Sequence, residues 1–201
     1  WSLMEHLQLG GLRLRLNSIG CAKDRETHRE ILRSHFTQWI DEMCDDCRRR
    51  LDENPLRILD CKETACQSFI AQAPGSADHL CPECVTHFAA VQGWLNRLGL
   101  AYDIDPRLVR GLDYYTRTVF ELMSSDLGAQ DTLIGGGRYD DLIEMLGGPP
   151  TPGIGFAGGI ERLVLVLQER RAKTVDTKRL DLFLATLGEE GRRAGMKLAI
   201  E

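Results

Sequence analysis

The spacing of hydrophobic positions divides the chain into stretches of different character. Leu12, Leu14 and Leu16 alternate with Arg13 and Arg15, the period-two pattern of a strand with one buried face. Trp1 to Leu9 reads as the end of a helix closed by Gly10-Gly11, since glycine takes the left-handed conformation that ends helices. From Asp24 the apolar positions Ile31, Leu32, Phe36, Trp39, Ile40 and Met43 recur at helical spacing, which predicts an amphipathic helix running towards Asp45. Asn54-Pro55 breaks this region, because proline disfavours helical geometry in the residue before it. Phe88, Val91, Leu95 and Leu98 then mark one face of a further helix stopped by Gly99. Residues 17–100 are predicted to be mostly helical.

The pattern changes after Tyr102. Thr118 to Met123 and Thr132 to Ile134 are rich in β-branched and aromatic types, and Ser124 to Gly128 between them suits a turn or short loop joining paired strands. A short helix, Tyr139 to Leu146, precedes the rigid breaker Gly147 to Pro152. Gly153 to Gly159 leads into an apolar helix, Ile160 to Gln168. Arg170 to Arg179 reads as a polar linker, Leu180 to Ala185 as a strand, and Glu189 onward as a helix, the opening of a new βα unit. The chain starts without Met and stops inside that helix, so a fragment of a longer protein is expected.

Composition narrows the classes of function. At 201 residues, 43% hydrophobic and 27% charged, the chain can bury one good core and begin a second. Twenty-five Lys and Arg against 30 Asp and Glu give a net charge of -5, which argues against a general polyanion binder; any nucleic-acid contact is expected to be local. The first residues lack the regions of a signal peptide and no apolar run approaches the roughly 18 residues that span a bilayer, so a cytoplasmic address without membrane contact is expected. Seven cysteines cannot all pair within one chain, and two CxxC pairs point to reduced thiols or to metal.

Three strings carry a resemblance. RGLDYYTRTVFE (Arg110 to Glu121), GGGRYDDL (Gly135 to Leu142) and GIGFAGGIERL (Gly153 to Leu163), in this order, closely resemble the histidyl-tRNA synthetase family of class II aminoacyl-tRNA synthetases, in its bacterial form. The first two resemble the family's histidine-binding signatures and the third its version of motif 3. NSIGC (Asn17 to Cys21) and NPLRILDCK (Asn54 to Lys62) look like further segments of the same family. The resemblance implies an α+β fold: the C-terminal part of a class II antiparallel catalytic sheet, a mostly helical insertion domain and the start of an α/β anticodon-binding domain. It divides the chain into residues 1–16, the end of an N-terminal catalytic segment; 17–100, the insertion domain; 101–170, the catalytic part with the histidine signatures and motif 3; and 171–201, a linker and the first βα unit of the anticodon-binding domain. Motifs 1 and 2 have no counterpart in this sequence.

The implied activity is that of a histidine–tRNA ligase, using ATP with Mg2+ to make histidyl-adenylate and passing the histidyl group to tRNA(His), with a homodimer as the full-length form. The isolated chain is expected to be inactive. Attack of a carboxylate on the α-phosphate of ATP brings two anions together, and arginine suits such a place because its guanidinium stays charged and presents a planar fork of donors. The resemblance gives this role to Arg110; read without its motif, Arg110 fits a surface salt bridge. A neutral imidazole offers one donor and one acceptor, which tyrosine hydroxyls can match in either sense. Tyr115 and Tyr139 take the family's imidazole-pocket positions, with Tyr114 adjacent; on a strand Tyr114 and Tyr115 would face opposite ways. Gly136 and Gly137, in the Gly135 to Gly137 run, allow close backbone approach to histidine, although the run alone suits a tight turn. Glu121 either meets the substrate ammonium or forms a structural ion pair. Arg162, with Gly158 and Gly159 before it, takes the place of the motif 3 arginine that holds ATP; otherwise it is an exposed helix residue paired with Glu161 or Glu169. A relative that keeps the fold without catalysis, such as the synthetase-like regulatory subunit of histidine biosynthesis, is the alternative, and it typically departs from the histidine signatures that are intact here.

Cys44-Asp-Asp-Cys47 and Cys81-Pro-Glu-Cys84 supply the two CxxC pairs. Cys44, Cys47, Cys81 and Cys84 together would close a tetrahedral structural Zn2+ site, with Cys61, Cys66, His79 and His87 as alternative ligands. The 33 residues between the pairs exceed a compact zinc ribbon, and unliganded buried thiols account for the same pairs. A redox CxxC needs a thioredoxin-like βαβ context, which this stretch lacks.

Overall fold

The computed structural model describes residues 1–7, 9–111, 113–125, 132–171 and, beyond them, 185–188, 190–191 and 194–195. Residues 1–168 form one unit and 169–201 another. In the first, a five-stranded sheet has the order β2-β1-β3-β4-β5. Its strands are β1 (Leu12–Ser18), β2 (Asp103–Ile104), β3 (Thr116–Ser124), β4 (Thr132–Tyr139) and β5 (Gly153–Gly158). Every neighbouring pair is antiparallel except β1 with β2. The predicted strand at Leu12, Leu14 and Leu16 is therefore present and carries on to Ser18. β4 is longer than predicted and runs through Gly135-Gly136-Gly137, which lie inside the strand rather than in a turn.

The chain enters through α1 (Ser2–His6), and Gly11 turns it into β1 with φ +66°. Between β1 and β2 lie α2 (Ala22–Thr37), α3 (Asp45–Glu53), α4 (Thr64–Ala71) and α5 (Pro82–Arg97). Asp24 starts α2 by accepting the Cys21 backbone N–H at 3.2 Å, one half of a capping box. His28, Leu32 and Phe36 follow it at intervals of four and are buried with it. The helix predicted to run towards Asp45 ends at Thr37. Ile40–Glu42 form a 3-10 turn, and Met43 then enters the core with 2% of its surface exposed. A bend that returns to the same core keeps the apolar spacing of an unbroken helix, so periodicity cannot tell the two apart. α5 matches the predicted helix and stops before Gly99, at φ +67°.

Two cores flank the sheet. The larger joins the helical segment to it through Leu32, Phe36, Met43, Ile58 and Val119; the smaller packs Met4, Leu9, Leu122 and Leu133 against Val166. Val166 belongs to α7 (Ile160–Arg171), which follows β5, and a single turn, α6 (Leu142–Met145), replaces the longer helix predicted there. The predicted strand at 180–185 and linker at 170–179 fall almost wholly outside the described residues, as do 126–128 of the predicted turn. In the second unit the described residues 188, 190–191 and 194–195 are helical, in keeping with the predicted start of a helix near 189.

One buried residue gives the fold a pH limit. Burial pulls the His28 imidazole below its ordinary 6.5; the Pro74 carbonyl, 3.0 Å from Nε2, opposes this and His79 adds to it. Burial, then Arg138, lowers His87 in the same sense. A histidine that is harder to protonate when folded leaves stability unaffected above its unfolded value and erodes it as pH falls below. Urea midpoints are expected to drop between about pH 6.5 and 5, less steeply in His28→Gln. Identical pH profiles for the two proteins would remove His28 as a cause.

Candidate active site

β3 lies between β1 and β4, and its register sets the site. Glu121 is opposite Gly135, and Val119 is opposite Gly137. Alternation puts Glu121 and Val119 on one face of β3 and Phe120 and Leu122 on the other. The second face, with Leu14, Ile134, Phe156 and Val91 of α5, lines an apolar groove of about 560 Å³. On the first face, Glu121 borders a polar cleft of about 560 Å³ shared with Arg13, Arg15, Lys62 and Arg107. Asp103 and Asp105 answer two of these cations, at 2.8 Å from Arg13 and 3.1 Å from Arg15.

Arg110 comes from the loop leading to β3 and lies on this face. Its Nη1 donates to Glu121 Oε1, while its Nε is buried and has no partner among the described residues. The guanidinium rests against Gly135, where a Cβ would overlap it. Thr132 Oγ1 donates to the other Glu121 oxygen at 3.3 Å, and Arg162 Nη1 donates to the Thr132 carbonyl at 2.7 Å. Arg110, Glu121, Thr132 and Arg162 therefore form a continuous polar run across β3, β4 and the first turn of α7. Gly159 begins that turn, its carbonyl accepting the Leu163 N–H at 3.0 Å, and the stem of Arg162 lies against it. Gly158 sits beside the Ile134 side chain.

The three tyrosines gather next to this run. Tyr114 and Tyr115 are not on a strand but in the turn before β3, so the alternation that would separate them does not apply. Their ring centroids are 4.5 Å apart, and the Tyr114 hydroxyl donates to that of Tyr115 at 3.5 Å. That hydrogen bond, with burial, raises Tyr114 above an ordinary phenol. Tyr139 closes the group edge-on, 5.6 Å from Tyr114 and 6.2 Å from Tyr115. Gly137 admits the Tyr115 ring, since a Cβ there would stand 2.9 Å from its Cδ1. Two residues along the same face of β4, Gly135 admits Arg110, so the backbone positions that face the two side chains are about 7 Å apart along the strand. The glycines of β5 have a related use: a Cβ on Gly153 would meet the Tyr139 ring at 2.5 Å, and one on Gly155 its hydroxyl at 2.5 Å.

The helical segment holds these groups in place through residues that pattern alone did not single out. Arg25 Nη1 donates to the Asp113 carbonyl at 2.7 Å, and Asn54 Nδ2 donates to the Asp113 carboxylate, fixing the turn that carries Tyr114 and Tyr115. Asn17 is fully buried and donates to Ser76 Oγ and to the Leu108 carbonyl, both at 2.9 Å, two residues before Arg110. Asn17 and Asn54 open the strings NSIGC and NPLRILDCK, which were the available signal. Arg117 has φ +54° where the β3 register shifts, and its N–H and carbonyl pair with Gly20 and Ile19, each at 2.7 Å.

The cysteines depart from expectation. Cys44 and Cys47 do not join Cys81 and Cys84; they group with Cys61 and Cys66, all four sulfurs lying within 4.8 Å of one another. Cys81 and Cys84 group instead with Cys21 and Asp24. The reason is topological: Cys44 caps α3 while Cys81 caps α5, and Asp24 holds the start of α5 beside that of α2 by accepting the Cys81 N–H at 3.1 Å.

The family model of histidyl-tRNA synthetases matches residues 16–163. The chain belongs to this family. A histidine–tRNA ligase of Caldanaerobacter subterraneus subsp. tengcongensis is 46% identical over 98% of the chain, and one of Symbiobacterium thermophilum is 48% identical over 98%. These matches cover 48% and 46% of the two relatives, so the chain spans about half the length of the synthetases it matches. The crystal structure of apo S. aureus histidyl-tRNA synthetase superposes with a TM-score of 0.66 at 40% identity, over 99% of this chain and 49% of that one. The mostly antiparallel sheet is thus the fold of a class II synthetase. No helix among the described residues is long and apolar enough to cross a membrane.

Proposed function

We propose that the full-length protein is a histidine–tRNA ligase and that this chain carries its histidine-binding half-site. The observation that carries the reading is the pairing on β4: Arg110 against Gly135 and Tyr115 against Gly137 put a cation, whose buried Nε has no partner among the described residues, on the same strand face as a group of phenols. Histidine would lie with its carboxylate towards Arg110 and its ring towards Tyr115 and Tyr139, with Tyr114 behind them; Gly137 serves this by making room for Tyr115, and Gly136 by letting β5 pack close, rather than by direct approach to the ligand. Its carboxylate oxygen attacks the α-phosphorus of ATP and pyrophosphate leaves with the bonding pair. Arg110 spreads its donors over the charge that gathers at that point, and Arg162, beside Gly158 and Gly159, holds the nucleotide. A terminal ribose hydroxyl of tRNA(His) then takes the histidyl group and AMP leaves.

Glu121 serves in this reading as the counter-ion that orients Arg110, because one of its oxygens accepts from Arg110 and the other from Thr132. Magnesium is taken to arrive with the nucleotide. We further assign residues 17–100 to an insertion domain, 171–201 to the opening of an anticodon-binding domain, and the full-length protein to a cytoplasmic homodimer.

Exchange of labelled pyrophosphate into ATP tests the reading. The full-length protein is expected to support exchange with histidine and not with phenylalanine or glutamine; exchange that ignores the amino acid would overturn it. The 201-residue chain alone is expected to give none, since about half of a synthetase's length is not on it. Histidine-dependent exchange by the isolated chain would contradict that expectation.

A further inference from the structure

We propose that Cys44, Cys47, Cys61 and Cys66 bind one structural zinc ion. Their spacing is C-x2-C, then 13 residues, then C-x4-C, a compact pattern that the longer gap to Cys81 had obscured. Zinc takes thiolates tetrahedrally at about 2.3 Å, which sets the sulfur–sulfur edge at about 3.8 Å. The Cys44 and Cys61 sulfurs stand 3.8 Å apart, and none of the four is more than 4.8 Å from another. All four are free thiols, and Cys47, Cys61 and Cys66 are buried. An iron–sulfur cluster interposes irons and sulfides between its cysteines and needs a wider cage.

The surroundings suit an anionic tetrathiolate. Cys44 caps α3 and Cys47 lies in its first turn, while Cys66 is the third residue of α4, so two helix N-termini face the sulfurs with their positive ends. The Cys44 N–H already donates to Cys66 Sγ at 3.4 Å. Between these helices stand only a 3-10 turn, Pro55–Ile58, and a loop. Zinc would tie three short pieces, of nine, four and eight residues, into one unit. That unit contains Asn54, which holds the turn of Tyr114 and Tyr115. Binding replaces four S–H bonds by four Zn–S bonds and releases four protons.

The second group differs. Asp24 accepts the Cys21 N–H with one oxygen and the Cys81 N–H with the other, so it already joins the starts of α2 and α5 without a metal, and the group offers only three thiols beside it. One zinc per chain is therefore expected, not two.

Elemental analysis of the full-length protein, purified under reducing conditions without added metal, should find about one equivalent of zinc that survives dialysis against EDTA. Cys61→Ser with Cys66→Ser should lose it and Cys81→Ser should keep it. If the double variant does not fold, cobalt replacement in the unaltered protein reads the same point: thiolate-to-cobalt charge transfer and tetrahedral d–d bands are expected. Less than a tenth of an equivalent after reconstitution with zinc chloride, one equivalent of iron in its place, or retention of zinc by the double variant would overturn the proposal.

Discussion

Arg110→Ala in the full-length protein is expected to lower histidine-dependent pyrophosphate exchange by about 10²–10³-fold, the usual cost of removing one preorganised donor from developing charge. Two effects add here. In the proposed reading the guanidinium that meets both anions is gone, and Glu121, whose side chain is only 16% exposed, is left with an uncompensated carboxylate beside the proposed substrate position. Adding Glu121→Gln to Arg110→Ala removes that repulsion, so the double variant should recover part of the affinity for ATP without recovering turnover. Arg110→Lys keeps the charge but loses the fork of donors, and should fall between the two. Near wild-type exchange by Arg110→Ala would take the residue out of the catalytic role.

Adjacent glycines of β4 should fail in different ways. A Cβ on Gly135 meets the far end of the Arg110 side chain, which can swing aside, so Gly135→Ala should fold almost normally yet lose exchange to nearly the extent of Arg110→Ala. A Cβ on Gly136 meets backbone, the Gly155 carbonyl and the Phe156 Cα at 2.8 Å, and cannot be relieved without parting β4 from β5. Gly136→Ala should therefore cost about 1–3 kcal/mol of stability, the scale of overpacking. Thermal unfolding read beside exchange separates the two. A Gly135→Ala protein with full activity would mean that the guanidinium does not need its place on the strand.

Much of this was legible in the sequence, and the exceptions have physical causes. The alternation of Leu12, Leu14 and Leu16, the face of α5 and the stop at Gly99 followed directly from side-chain spacing. The bend after Thr37 did not, because Ile40 and Met43 return to the core that Leu32 and Phe36 occupy. Gly135 to Gly137 suggested a turn because conformational freedom is the commoner reason for a glycine run. Here the need is space: the strand is regular, and the missing side chains make room for Arg110, Tyr115 and β5. For Tyr114 and Tyr115 the reverse holds: strand alternation would part them, but they lie in the turn before β3, where it has no force. The cysteine pairing depends on which helix starts lie together, a tertiary fact that linear spacing does not carry. Asn17, Arg25 and Asn54 act on the site through backbone carbonyls and Asp113, and nothing in their residue types announces that.

A crystal structure of the full-length protein with histidine and a non-hydrolysable ATP analogue tests the central claim most directly. The account predicts the substrate carboxylate within hydrogen-bonding distance of Arg110, the imidazole nitrogens facing Tyr115 and Tyr139, and the nucleotide against Arg162. Histidine bound elsewhere, with the Arg110–Glu121 pair and the tyrosine group untouched by ligand, would contradict it.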